Sequence, residues 1–569
     1  MKNKDIIKLL SNTVAYMELH AENDFKIKSY TNAIYNLDRT NLKLTTLSLT
    51  ELEQIEGVGK SIAKAIDEIN QKGSYSKLEE LKSNTPVGLI KLMKLRGLGA
   101  KKLKTLWSEA GIESAESLEK AINEGVLKNL KGFGDKTIQN ISELLAFAKE
   151  TQGWVHYAAA EQLANELKTQ IKNSIDGVKV EFAGKLGRKW DVIDQLEFVI
   201  GHDKFMQIDM FLSSLNLITK TKATSGPFKW SGHTTNEEPI EVIFHFTSVK
   251  KFASTCILKT SSLAHLSHPF NGNTLKEITT SESFSSEKEV YDKLNLAYCP
   301  PEIREGSWEL ELTKTHTLPT LLNYEDLTGA LHNHSKYSDG ENTLEEMIDE
   351  CKKMNFSYLG ISDHSKAASF YANGMFENTV KEQHKEIDEL NKKHAPFRIF
   401  KGIEADILAD GSLDYDPDTL ATFDFVVASI HSGLNMNITK ATNRLLTAIA
   451  NPYTTMLGHM TGRLLLMRKG YPIDHKTVID ACAKYGVIIE INAHPYRLDI
   501  DWRWVHYALQ KGVLLSINPD AHTIDGFKDM YYGVCVGRKG GLTKEQTLNA
   551  WKVEQIDSYF KKRKSFANY

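Results

Sequence analysis

Two textures of apolar spacing divide the chain. Through the first 150 residues apolar positions recur at helical spacing, interrupted three times by one short pattern. Ile55 to Lys60, Leu95 to Lys101 and Leu130 to Lys136 each read apolar-x-Gly-apolar-Gly. Each leads into a segment of helical period, at 61–69, 102–110 and 137–149. Helical spacing continues over 155–170 (Ala158, Leu163, Leu167), followed by strand-like runs at 178–182, 196–200 and 240–246. This α+β region extends to about 315, with Pro300-Pro301 and the polar stretch 313–317 marking a boundary. From about 328 short apolar runs alternate with amphipathic helices: 329–331, 358–361, 398–403, 425–430, 456–457, 487–491 and 513–517. Strands separated by helical stretches predict parallel βα units.

The repeated glycines change the picture for the first region. Gly57 and Gly59, Gly97 and Gly99, Gly132 and Gly134 each permit a tight turn before a helix. Lys60, Lys101 and Lys136 stand at the starts of those helices. A helix N-terminus presents free N–H groups to phosphate. This is the helix-hairpin-helix pattern, which holds DNA backbone without reading sequence. Three copies weigh against mere helix-to-helix turns.

Composition adds bounds. A chain of 569 residues exceeds one core, so several domains are expected. No apolar run approaches the ~20 residues of a membrane span. The opening residues lack a signal-peptide core. The five cysteines are scattered without C-x-x-C spacing and read as reduced thiols, consistent with a cytoplasmic protein. Residues 1–150 carry 23 basic against 20 acidic side chains, and the remainder 47 against 53. The N-terminal excess is too slight to argue DNA by itself, while an acidic remainder suits a metal site.

The richest chemistry follows the C-terminal strands. His332, His334, Asp339, His364, Glu404, His431, His459, Asp520 and His522 each fall just after a predicted buried strand. Active sites of α/β barrels are built at that end, where the loops converge. Imidazole and carboxylate together suit zinc, manganese or iron, and the number suffices for several ions. Such a centre acidifies water and clamps phosphate, so metal-assisted phosphoester hydrolysis is the expected chemistry.

Taken in order, Leu331-His332-Asn333-His334-Ser335, Tyr337-Ser338-Asp339-Gly340, Ser362-Asp363-His364-Ser365-Lys366, Gly402-Ile403-Glu404, Ser429-Ile430-His431, Gly458-His459 and Asn518-Pro519-Asp520-Ala521-His522 resemble the PHP (polymerase and histidinol phosphatase) domain. Together with Phe25 to Tyr30, the three hairpins, Tyr298 to Glu305 and Ala372-Asn373-Gly374, they resemble the bacterial family X DNA polymerases end to end. That resemblance implies four parts. These are a helical 8-kDa-like domain (1–80), a fingers-like helix-hairpin-helix domain (81–150), an α+β polymerase-β-like palm and thumb (151–315), and a distorted (βα)7 PHP barrel (325–569). It implies three divalent ions, most readily Mn2+, with Zn2+ or Fe2+ as alternatives, held by the nine residues above. Glu404 is implied to bridge two of them. Glu404, His431 and Asp520 are implied to be catalytic, with Lys366 and Arg463 holding phosphate oxygens and Asn492 and His494 supporting the ligands. The implied partner is gapped, 3′-ended or abasic DNA, met by a monomer. The implied activity is 3′-5′ exonuclease and abasic-site cleavage.

The polymerase core departs from the family pattern. Ala183-Gly184-Lys185-Leu186-Gly187-Arg188 has lysine for the serine and glycine for one arginine of the nucleotide loop. Gln195 and Glu197 stand where Asp-x-Asp should hold Mg2+, and the third position falls at Glu241 or Ile243. A neutral amide cannot offset two divalent cations, and misplacing a metal by ~1 Å can cost ~10²-fold in rate. The core is therefore expected to bind DNA but not to polymerise. Ala65 likewise replaces the lysine that precedes an Ile-Asp-Glu triplet in relatives with lyase activity. Two other readings remain open: a working gap-filling polymerase with a proofreading PHP domain, and a small-molecule phosphatase of the histidinol phosphate type.

Overall fold

The structure, a computed structural model, describes residues 3–565 except 39, 41, 96 and 237. The chain divides into two compact units, residues 1–152 and 153–569.

The first unit is helical, with two hydrophobic cores. The three glycine patterns fold alike. Gly57, Gly97 and Gly132 take φ of +79°, +103° and +89°, a region that penalises a side chain. The next residue of each, Val58, Leu98 and Phe133, buries its side chain and donates its N–H to Ile55, Leu95 and Leu130. Helices α1 (Lys60–Lys72), α2 (Ala100–Ala110) and α3 (Asp135–Glu150) follow at once, one or two residues earlier than spacing predicts. No side chain caps them, and a Cβ added at Gly59, Gly99 or Gly134 would meet nothing within 4 Å. The first-turn amides are thus open to an anion. The third copy differs chemically, because Asp135 puts a negative charge at its first turn.

Among its described residues the second unit holds two large sheets and two small two-stranded ones. The first contains β1 (Lys179–Ala183), β2 (Gln195–Gly201), β3 (Ile218–Lys220), β4 (Lys229–Thr234) and β5 (Glu241–Thr247), in the order β1-β2-β5-β4-β3. Only β2 and β5 run parallel. β3 and β4 escape sequence reading because Lys229-Trp230-Ser231-Gly232-His233-Thr234 lacks apolar alternation.

The other large sheet is all parallel and in chain order: β6 (Gly329–Ala330), β7 (Tyr358–Ile361), β8 (Arg398–Asp406), β9 (Phe425–Ser429), β10 (Met456–Leu457), β11 (Ile488–Asn492) and β12 (Leu515–Asn518). A single parallel bridge between Asn333 and Ala521 joins the first strand's end to the last, nearly closing the barrel. Strands β7, β9, β11 and β12 are buried at every position, as expected for parallel strands covered on both faces. Alternation sorts their side chains. Ile399, Ile403 and Ala405 of β8 join the outer core, while Phe400 joins an inner cluster with Tyr358, Phe425, Met456 and Ile488. Phe560 of the C-terminal helix Val553–Ser565 packs on Phe400 and Phe425 and plugs the bottom. A Cβ on Gly402 would stand 2.2 Å from the Phe425 ring, so glycine there lets that plug close. The upper half of the interior is left to polar side chains.

Palm, thumb and barrel form one body instead of beads on linkers. Pro301 opens a tight turn (Pro301–Ile303) that carries Glu302 and Glu305 into a seam with the barrel, so the proline pair is no linker. There Arg538 meets Glu302 at 2.6 Å and the buried Lys539 meets Glu305 at 2.7 Å. Cys535 of the barrel joins the palm core. Among the described residues no helix is long and apolar enough to cross a membrane.

Candidate metal centre

All nine residues singled out by sequence face one pocket at the upper end of the barrel. Glu404 is its centre. Its carboxylate lies 3.0 Å from His364 Nδ1 and His459 Nε2, 3.2 Å from His431 Nε2, 3.4 Å from His332 Nε2 and 3.7 Å from His334 Nε2. Asp520 stands 3.1 Å from His334, and Asp339 stands 3.3 Å from His522. Three overlapping groups have donor atoms close enough for an ion: His334, Asp339, His364 and His522; His332, His334 and Glu404; His364, Glu404 and His431. Sequence spacing places Glu404 past its strand, but β8 runs three residues further and holds Glu404 rigidly within it.

Local chain geometry explains the convergence. Gly340 packs on the His334 carbonyl, where a Cβ would stand 2.2 Å away, and this lets Asp339 fold back over the H-x-H pair. Asp520 takes a left-handed φ of +52°, costing a non-glycine residue about 1 kcal/mol, and turns its carboxylate inward.

The electrostatics call for cations. Burial alone would push the Glu404 carboxyl up, but His431, His332 and His364 hold it well below the usual range. Burial likewise opposes charge on His431, yet Glu404 and Asp406 raise it to about 10. His334 goes the other way, to about 3, through burial and its neighbours His522 and His364. Four buried imidazole nitrogens, Nε2 of His332 and Nδ1 of His334, His364 and His459, have no hydrogen-bond partner. Orphaned buried polar atoms are costly. With ionised carboxylates beside them, they fit a set of divalent metals of the N/O-binding kind.

Sequence reading missed the residues that orient these side chains. Glu490 accepts from His332 Nδ1 at 2.6 Å and from the His459 amide at 2.8 Å. Asp406 accepts from His431 Nδ1 at 2.5 Å. Asp363 accepts from the Ser335 amide and from the hydroxyls of Ser335 and Ser338, fixing the loop of His334 and Asp339. Asn492, expected to support the ligands, donates to Asp520 at 3.0 Å. His494 touches the site through its backbone, donating to Asn492 Oδ1.

The phosphate-holding expectations change. Arg463 is half-buried and donates to Asp501, Asp191 and the carbonyls of Arg497 and Leu498. Each of its three nitrogens is engaged, so Arg463 ties palm to barrel. Lys366 is one-third exposed and pairs with Glu377 at 2.7 Å. Arg497, not foreseen, reaches Asp520 at 3.5 Å from the loop after β11.

The palm holds a different arrangement. Gln195 donates to Glu241 at 2.7 Å, and Glu197 pairs with His245 at 3.1 Å. Lys185 of the nucleotide-type loop is drawn to Asp194 at 2.7 Å, and Arg188 to Glu305 at 3.0 Å. Among the described residues no three acidic, histidine or cysteine side chains of the palm lie close enough to share an ion.

Comparison with known proteins agrees with this layout. The model for a helix-hairpin-helix domain matches residues 1–75, that for a SAM-like helix-hairpin-helix tandem matches 89–145, and that for the PHP domain matches 330–494. The chain is 34% identical over 574 residues to the DNA polymerase/3′-5′ exonuclease PolX of Bacillus subtilis (strain 168), covering 99% of this chain and 100% of that protein. A probable phosphatase of Thermoanaerobacter sp. (strain X514) is 26% identical over 232 residues, 39% of this chain and 89% of that protein. A probable phosphatase of Caldicellulosiruptor bescii is 31% identical over 159 residues, 26% of this chain and 59% of that protein.

Proposed function

Because the chain belongs to the PolX family of bacterial DNA polymerase/3′-5′ exonuclease proteins, we propose that it is a DNA-repair nuclease whose PHP barrel hydrolyses 3′-terminal or abasic-site phosphodiesters. The observation that carries this reading is the ring of five imidazoles around the buried Glu404 carboxylate. We assign the nine residues as ligands of three divalent ions, manganese in assays and zinc or iron as alternatives. Such ions, when bound, supply Lewis acidity to phosphate oxygens and acidify water near neutral pH. The protein's own part is positional. Glu490 and Asp406 fix the ring orientations of His332 and His431. Asp363 holds the loop that brings Asp339 over the site. Arg497, which reaches Asp520, and Lys366, two residues beyond His364, balance charge gathering on a phosphate.

The hairpins hold the backbone of gapped, 3′-ended or abasic DNA, and the division at residues 80, 150 and 315–325 separates the working parts. The protein acts as a monomer in the cytoplasm, where its five free thiols stay reduced. We also propose that polymerase activity is lost. The neutral Gln195, hydrogen-bonded to Glu241, takes the place of a metal-binding carboxylate.

Small PHP relatives named as phosphatases favour a second reading, hydrolysis of phosphomonoesters. A side-by-side assay separates the two. End-labelled single-stranded and gapped DNA with Mn2+ should be shortened from the 3′ end, and histidinol phosphate should turn over far more slowly. The reverse preference would overturn the nuclease reading.

A further inference from the structure

Two loops that carry residues of the metal pocket also carry exposed aromatic side chains, Phe370 and Tyr496. Phe370 is 100% exposed and, among the described residues, stacks on no other ring. A single bare apolar side chain is ordinary; what marks Phe370 is its place beside the metal pocket. Its position is nonetheless fixed. It sits in a short helix (Ser369–Ala372) on the loop after β7 that also carries His364. That loop returns through Met375, whose N–H donates to the His364 carbonyl at 2.8 Å. Gly374 lies so close to the Ser365 carbonyl that a Cβ would stand 1.9 Å away. The adjacent Tyr371 donates to Asp406 at 3.2 Å, and its ring lies 6.4 and 6.3 Å from those of His364 and His431. Phe370 therefore stands at the lip of the metal pocket and is held there.

A second aromatic edge rises from the loop after β11, the sixth of the seven strands, whereas Phe370 follows the second. Tyr496 is 48% exposed, with its ring 5.3 Å from His494 and 4.4 Å from His156 of the palm. Its neighbour Arg497 reaches the ligand Asp520. The Tyr496 amide donates to His494 and its carbonyl accepts from Leu465, so this edge is fixed as well.

We infer that Phe370 and Tyr496 form a stacking platform for the unpaired bases at a DNA 3′ end whose last phosphodiester lies over the metal centre. This rests on the nuclease reading above. Aromatic faces accept any base, so the platform selects unstacked nucleotides without selecting sequence. A paired terminus must fray before its bases can reach the two rings, which favours single strands and mismatched ends. The row Tyr496–His156 continues the platform toward the palm, giving the strand a path between the two parts of one body.

The test uses a single-stranded oligonucleotide with 2-aminopurine as its 3′-terminal base and a phosphorothioate at its last linkage, bound to the full-length protein with Zn2+. Stacking on the platform quenches the fluorescence. In the double variant Phe370→Ala, Tyr496→Ala the quenching should disappear and the strand should bind about tenfold more weakly. Both positions are exposed, so circular dichroism should report an unchanged fold. Equal quenching in wild type and variant overturns the platform, whatever the cleavage rates. Quenching that is lost in the variant, in a wild-type protein that cleaves no DNA, would support the platform while removing the nuclease reading.

Discussion

Glu490 accepts a hydrogen bond from Nδ1 of His332 at 2.6 Å, and the opposite nitrogen of the same ring then faces Glu404 at 3.4 Å. A carboxylate behind a ligating imidazole sets its tautomer and raises its basicity. Glu490→Gln keeps the shape and removes the charge. Metal affinity, measured by competition with a chelator, should fall ~10- to 100-fold, with nuclease activity partly restored by excess Mn2+. Unchanged affinity would leave Glu490 a packing residue.

The palm should fail as a polymerase. Gln195 and Glu241 satisfy each other, and Glu197 is engaged by His245. Primer extension on gapped DNA should be absent with Mg2+ or Mn2+, and Glu197→Ala should not change the nuclease rate. Robust extension abolished by Glu197→Ala would reverse this assignment.

Acid should open the seam between thumb and barrel. Burial alone would raise the carboxyls of Glu302 and Glu305, but Arg538 acts on the first, and Lys539 and Arg188 on the second, to hold both below the usual range. A carboxyl depressed in the folded state stabilises fully above its unfolded pKa of ~4.3 and loses that contribution as pH falls through its folded value. Melting temperature should therefore drop steeply below about pH 4.3. Glu305→Gln should flatten that drop and cost ~3 kcal/mol at pH 7, since it leaves the buried Lys539 ammonium without its partner. A wild-type melting profile flat to pH 3 would contradict this.

The hairpins should bind DNA through phosphate alone. Replacing Lys60 and Lys101 together by alanine should lower the slope of log affinity against log salt by ~1.4 to 1.8, at ~0.7–0.9 per phosphate contact. Lys136→Ala should matter less, because Asp135 already weakens the third helix start. Nitrocellulose filter binding at several salt concentrations reads both, and equal slopes for wild type and double variant would remove the lysines from the interface.

The candidate ligands stood out because most of them follow a short apolar run, and the hairpins because φ-positive turns demand glycine at a fixed offset. Alternation along the barrel strands would have yielded more. On β8, Phe400, Gly402, Glu404 and Asp406 share the inward face, so Asp406 follows from Glu404 by a step of two. On β11, Ile488, Glu490 and Asn492 do the same. Arg463 was misjudged for a different reason. Its partners Asp191 and Asp501 are 272 and 38 residues away, and no local pattern announces a contact across a seam. The seam itself was hidden for the same cause: Pro300-Pro301 reads only as a boundary until Glu302 and Glu305 find Arg538 and Lys539.

Glu404 is the carboxylate that all five central imidazoles surround, and the proposed chemistry depends on it. Elemental analysis of protein reconstituted with Mn2+ and desalted, run beside digestion of 3′-labelled DNA, tests it most directly. Wild type should retain divalent metal and degrade the strand. Glu404→Gln should lose most of both, by ~10²-fold or more in rate. Wild-type protein that digests DNA with no bound divalent metal, or a Glu404→Gln variant as active as wild type, would contradict the account.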